Sequence, residues 1–133
     1  MSNYTLQQIT AALHSSWSAD TAYDAEDWST NNPARGQCAV SSLIVQDYFG
    51  GDLLRLAVSG ENLEETHYIN ILPDGTSVDT TGQQYRKAVS FTPKLSNHPG
   101  FDSLREKALT GGNTQARYDV LKDRVEQYLT AHV

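Results

Sequence analysis

Three residues have the types and the order that thiol-dependent acyl transfer needs. Cys38 is the sole cysteine, and His67 and then Asp79 follow it along the chain. A cysteine nucleophile needs a base within reach, and the base needs an acceptor that holds its ring. We therefore predict that Cys38 attacks an amide or ester carbonyl, that His67 relays the proton and that Asp79 orients His67.

The position predicted for Cys38 favours this chemistry. A helix is expected over Cys38–Phe49, because the segment is apolar over most of its circumference and two glycines, at 50 and 51, follow it. The first turn of a helix favours a thiolate through its unpaired N–H groups and its dipole. The same N–H groups can hold an oxyanion, with the side chains of Gln37 and Asn32 as further donors.

The turn between two predicted strands decides where Asp79 points. A strand over residues 67–72 and one over 76–80 are separated by a Pro-Asp-Gly turn. If the loop is the three residues 73–75, His67 and Asp79 are diagonal neighbours on one face, roughly 7–8 Å apart at the backbone. A loop of two or four residues instead turns Asp79 to the opposite face, where Asn70 is its direct partner. The triad depends on the odd register, which the sequence favours without fixing it.

The remaining elements follow from hydrophobic spacing and turn residues. Apolar residues recur from Leu6 to Trp17, which predicts a helix capped by Thr5 and ending near Ser15. A polar loop follows over 18–36, then the Cys38 helix, a first strand over 53–58, and helices over 101–109 and at the C-terminus. We expect one α+β domain over 1–133, in which the Cys38 helix packs on a small antiparallel sheet between N- and C-terminal helices.

Composition limits the partners. The 133 residues carry a net charge of -6 and no run of Lys or Arg, which argues against nucleic acid. No apolar stretch approaches the roughly 18 residues that span a membrane, and a lone cysteine gives no sign of an oxidising compartment. The histidines and the acidic loop residues lack the spacing of zinc or calcium ligands. We therefore predict a cytoplasmic protein with no membrane contact, no metal and no cofactor.

Two resemblances add to these predictions. The order Cys38, His67, Asp79 over residues 36–80 resembles the transglutaminase-like and papain-like thiol enzymes, which implies their helix-on-sheet core. Most of the chain resembles the uncharacterised bacterial YunG-like family, through the strings NPARGQCA (32–39), QDYFGGD (46–52), HY (67–68), LPDGT (72–76) and VD (78–79). Ile69 stands where that family pattern has tryptophan. The YunG-like resemblance implies no established activity.

Three functions remain open at this point. The first is a thiol enzyme acting on a peptide, a protein or a small amide or ester, by hydrolysis or by transfer to an amine. The second is a non-catalytic domain of the same fold that binds a peptide or protein through the aromatic-lined loop before Cys38. The third is a thiol that senses oxidants, which would need a partner thiol from another molecule. The oligomeric state is left open.

Overall fold

The computed structural model describes residues 4–60, 63–85, 89–93 and 103–132. In this part of the chain there are four α-helices and four strands, with short 3₁₀ turns between some of them. In chain order they are α1 (Leu6–Ser16), α2 (Cys38–Phe49), β1 (Asp52–Gly60), β2 (Leu63–Ile71), β3 (Ser77–Val78), β4 (Val89–Pro93), α3 (Leu104–Thr110) and α4 (Thr114–Ala131). The class is α+β, as the sequence predicts.

The strands form one antiparallel sheet in the order β3-β2-β1-β4. Strand β2 lies inside the sheet, where Leu56 of β1 is opposite His67. Strand β3 covers only the end of β2, so that Asn70 pairs with Val78 and Ile71 with Ser77. Strand β4 is an edge strand on the far side of β1. It was not predicted, because its five residues are mostly exposed and give only a weak alternation.

Helix α2 is the centre of the packing. It lies between α4 and strand β2, and its residues from Val40 to Val45 are buried. Two polar contacts fix its position: Trp17 Nε1 donates to Ser41 Oγ (2.9 Å), and Asn70 Nδ2 donates to the Ser42 carbonyl (2.9 Å). The core also takes apolar side chains from α1 and α4, including Leu13, Leu121 and Val125. Because α2 is apolar on most sides, it is stable only where other elements cover those sides, as they do here.

The predicted helix ends agree closely with the structure. Thr5 caps α1 in a reciprocal capping box with Gln8, and the helix ends at Ser16, one residue beyond the prediction. Helix α2 has the predicted bounds, and Gly50 and Gly51 follow it with φ of 75° and 81°. Helix α3 begins at Leu104, whereas residues 101–102 of the predicted segment lie outside the described residues. None of the described helices is long and apolar enough to cross a membrane.

Candidate active site

Cys38 is the first residue of α2 and lines a cavity of about 420 Å³. The chain reaches it through Gly36, whose φ is 77° and whose carbonyl accepts from Tyr23 N at 2.9 Å. A side chain at Gly36 would place its Cβ 2.9 Å from Tyr23 N, so only glycine fits here without a shift. The thiol is half-buried, with one side on the protein and one on the cavity.

The strand register brings His67 and Asp79 together. The pairs Asn70–Val78 and Ile71–Ser77 continue through a three-residue turn, in which Leu72 N donates to the Thr76 carbonyl at 2.8 Å. This is the odd register, and it is confirmed. His67 Nε2 lies 2.9 Å from Asp79 Oδ2, so the predicted hydrogen bond between imidazole and carboxylate is present.

The carboxylate of Asp79 is held from its other side. Asp79 Oδ1 accepts from Thr81 N at 3.2 Å, and Gly82 follows closely enough that a Cβ there would lie 2.8 Å from Oδ2. Gly82 therefore leaves the space that Asp79 occupies next to His67. Gly82 was not predicted from the sequence. Its place three residues after Asp79 is a weak signal for it, because an aspartate that accepts from the backbone two residues later forms an Asx-type turn.

His67 is fully buried among aromatic rings. The rings of Tyr85 and Phe91 have centroids 5.3 Å and 5.6 Å from the imidazole. Burial lowers the pKa of His67, but hydrogen bonds with Asp79 and with Cys38, and the charges of both, outweigh it and raise the pKa to about 9. His67 is therefore a cation at neutral pH, in spite of its burial.

The second ring nitrogen of His67 remains for Cys38. Nδ1 is buried and makes no hydrogen bond of standard geometry with a described residue. Cys38 is near enough to His67 that its thiol and its charge contribute to the raised pKa of the imidazole.

An ion-paired arginine ties the loop before Cys38 to the sheet. Arg35 makes a two-bond contact with Glu65 of β2, at 2.5 Å and 2.8 Å, and its Nε lies 2.8 Å from Asp27. Arg35 lowers the pKa of Glu65, mainly through these hydrogen bonds. Gln84 completes the connection, because its side-chain oxygen accepts from Gly36 N at 3.2 Å. The loop that leads to Cys38 is thus held to the rest of the protein at Glu65 and Gln84, and braced internally by Asp27.

Comparison with known proteins gives the family. The YunG family model, described as YunG protein, matches residues 5–130. This chain belongs to the YunG family. It is 25% identical to the uncharacterized protein YunG of Bacillus subtilis (strain 168) over 126 residues, which are 95% of this chain and 96% of that protein. No solved structure matches.

The two predicted amide donors of this YunG-family chain lie outside the cavity lining. Gln37 is fully buried and its Nε2 donates to the Ser18 carbonyl at 3.1 Å. Asn32 Nδ2 donates to the Gln84 carbonyl at 2.8 Å. Both amides therefore order the loop through these hydrogen bonds, and neither residue is part of the cavity lining. That either amide donates to an oxyanion stays a prediction.

The cavity of the YunG-family protein has polar walls besides the thiol. Glu65, Thr66 and Tyr68 of β2 line it, with Arg55 of β1 and Arg117 of α4. Arg117 is the residue that sequence reasoning overlooked, since it lies on the helix expected only to close the core. In the described part of the chain, no group of three or more His, Cys, Asp or Glu could hold a metal ion.

Proposed function

We propose that this protein is a thiol-dependent acyl-transfer or hydrolytic enzyme with Cys38 as its nucleophile. The observation that carries the proposal is the 2.9 Å contact between His67 Nε2 and Asp79 Oδ2, with the other imidazole nitrogen left for Cys38. An orienting carboxylate on one nitrogen and a thiol beside the other is the arrangement that a cysteine nucleophile needs.

The reaction proceeds in two halves. The Cys38 thiolate attacks the carbonyl carbon of an amide or ester, and protonated His67 gives its proton to the departing amine or alkoxide, leaving a thioester on Cys38. Water or an amine then attacks the thioester while His67 accepts its proton. The carbon–sulfur bond breaks, the acyl group leaves, and thiolate and imidazolium are restored. Asp79 keeps the ring oriented and stabilises its charge in both halves.

Backbone groups stabilise the oxyanion in this proposal. Gln37 precedes α2 without capping it through its side chain, so no side-chain cap uses the N–H groups of the first turn. Cys38 and Ala39 both line the cavity at that turn. Their N–H groups are the donors we assign to the tetrahedral oxygen, in place of the side chains of Gln37 and Asn32.

The arrangement also supports the finer fold assignment. A helix that begins with the proposed nucleophile packs against an antiparallel sheet, the base lies on β2, and its acceptor directly follows the neighbouring strand β3. We infer a core of the papain-like or transglutaminase-like kind on this ground. A reduced thiol of this type works best in a reducing compartment, which favours the cytoplasm.

The direct test is acylation by an activated ester. Wild-type protein mixed with p-nitrophenyl acetate should release a burst of one nitrophenolate per chain and gain one acetyl group, located on Cys38 by mass spectrometry. Cys38→Ser should lose both signals and keep its circular dichroism spectrum, because serine has nearly the same volume as cysteine.

The contrary result is equally clear. If the folded wild-type protein resists both this ester and iodoacetamide at pH 6.5, and reacts only after denaturation, Cys38 is a packing residue. The proposal would then give way to a domain that binds a peptide or protein without catalysis.

A further inference from the structure

Arg117 is a charged side chain deep in the protein. Its relative exposure is 3%, and it makes three hydrogen bonds, all to neutral oxygen atoms. Nε donates to Asn113 Oδ1 (3.0 Å), Nη1 to the Thr21 carbonyl (3.2 Å) and Nη2 to Thr114 Oγ1 (3.0 Å). One N–H on each terminal nitrogen has no partner among the described residues. A buried cation without a counter-ion is costly, and burial lowers the pKa of Arg117.

Other arginines of the chain are treated differently. Arg35 pairs with Glu65, Arg105 with Asp47 and Arg124 with Asp20, and all three are more exposed than Arg117. In the described part of the chain, no carboxylate forms an ion pair with Arg117. The most deeply buried of these four guanidinium groups is therefore the one that the protein leaves without a negative partner.

The location of Arg117 suggests what its missing negative partner is for. It lines the same cavity as Cys38, and the two are near enough for a charge on the sulfur to act on the guanidinium. The ring of Tyr23 covers Arg117 at 5.8 Å, and Tyr23 is itself 77% exposed at the cavity wall. A ligand in the cavity thus meets the thiol and a fixed, dehydrated cation together.

We propose that Arg117 binds a carboxylate of the acyl donor, so that the substrate class is an amide or ester that carries a free carboxylate near its reacting carbonyl. Two N–H donors on a planar guanidinium match the two oxygens of a carboxylate. That the bound molecule is a substrate of Cys38 rests on the proposed function, whereas the carboxylate-binding site itself needs only Arg117 and the cavity.

The test measures binding in Cys38→Ser protein, where no covalent step can occur. We expect N-acetylglycine to bind at least about tenfold more tightly than the neutral N-acetylglycinamide, by NMR titration. Arg117→Met should remove that preference, and Arg117→Lys should keep part of it. Lys122→Met is the matched control: it removes a positive charge from an exposed position of the same helix and should change nothing.

Several results would overturn the proposal. Equal affinity for the two probes, or a preference that survives Arg117→Met, means that Arg117 does not recognise the carboxylate. Inorganic phosphate that displaces N-acetylglycine at lower concentration assigns the site to a phosphoryl group instead. If Arg117→Met does not fold, the Arg117 Nε–H resonance of Cys38→Ser protein decides, because it should shift with N-acetylglycine and stay in place with the amide. The p-nitrophenyl acetate burst needs no carboxylate, so failure of this site and failure of the thiol are seen separately.

Discussion

The two ends of helix α2 hold polar clusters of similar composition but opposite character. At the C-terminal end, Asp47 accepts from Arg105 and from the Tyr118 hydroxyl, while Arg105 also donates to Gln46 Oε1 at 2.9 Å. At the N-terminal end, His67 has one nitrogen on Asp79 and the other without a standard hydrogen bond. Arg117 there has no carboxylate partner among the described residues.

If the proposed function holds, the difference separates a structural cluster from a reactive one. Where polar groups only hold a fold together, each finds its partner, and burial with the hydrogen bond to Asp47 raises the pKa of Tyr118 to about 12, so that it stays protonated. In the cluster that we propose to be reactive, His67 Nδ1 has no hydrogen-bond partner and Arg117 has no ion pair among the described residues. Both clusters lie at ends of the same helix, and only the N-terminal one reaches the cavity, through Arg117, which lines it beside Cys38, whereas His67 and Asp79 lie behind that lining.

The largest effect, a loss of acylation rate, should come from removing His67, the proposed base at the N-terminal end of α2. His67→Ala should slow acylation of Cys38 by p-nitrophenyl acetate at pH 6.5 by roughly 10²–10⁴-fold, because proton transfer and the nearby positive charge are both lost. The pH profile of iodoacetamide labelling should also move upward. His14→Ala, on the exposed face of α1, is the control and should react like wild type. A His67→Ala rate within twofold of wild type would contradict the role of His67.

The charge on His67 gives the next effect. Its NMR resonances should titrate near pH 9 in the wild type, well above the ordinary histidine pKa of 6.5, and Asp79→Asn should lower that midpoint. Because the folded-state pKa is the higher one, protonated His67 contributes stability that is complete below pH 6.5 and is lost as the pH rises through 9. In Cys38→Ser protein, where no thiol titrates, this loss should be at most about 3 kcal/mol, measured by urea unfolding. A midpoint at or below 6.5 would show that burial outweighs Asp79.

A substitution in the cluster at the C-terminal end of α2 should change the stability of the protein but not the reactivity of Cys38. Arg105→Met leaves Asp47 and Tyr118 without their cation, and we expect a loss of about 2 kcal/mol in the free energy of unfolding. Labelling of Cys38 in the folded variant should keep the wild-type rate. A variant that unfolds no more easily but labels more slowly would mean that the two ends of α2 are coupled.

The smallest change tests the position of Asp79. Gly82→Ala puts a Cβ 2.8 Å from Asp79 Oδ2, so the carboxylate should shift from His67 and slow acylation by about tenfold, with stability changed by about 1 kcal/mol or less. Gly75→Ala is the matched control for the labelling rate, since a Cβ at Gly75 meets nothing within 4 Å, although its φ of 89° adds strain. Equal acylation rates in both variants would show that Asp79 adapts without loss.

Some predictions succeeded because the deciding interactions are local. The capping box at Thr5, the glycines after Phe49 and the three-residue turn at 73–75 act within a few residues, so short patterns reveal them. The turn matters most, because its length sets the register of β3 on β2. That register places Asp79 on His67, and the contact follows from local sequence even though twelve residues separate the two.

Other features could not be predicted, because the type of a residue does not determine which way its side chain points or what it contacts. Gln37 and Asn32 lie one and six residues before Cys38 and have suitable amides, yet those amides donate to the carbonyls of Ser18 and Gln84. Gly82 has a weak local signal, its place three residues after Asp79, but its role in leaving room for that carboxylate is visible only in the structure. Strand β4 was missed since an exposed edge strand needs no buried face and leaves little hydrophobic alternation.

The sequence alone determined the class of the fold and the central helix that begins at Cys38, and it favoured the register that joins His67 to Asp79. The tertiary structure alone decided what surrounds the thiol. Helix α4 comes from the far end of the chain, and its packing on α1 and α2 carries Arg117 to the cavity wall, where no carboxylate of the described residues pairs with it. Periodicity shows which face of α4 is buried, but which charges that face meets depends on contacts between distant segments, and those exist only after folding.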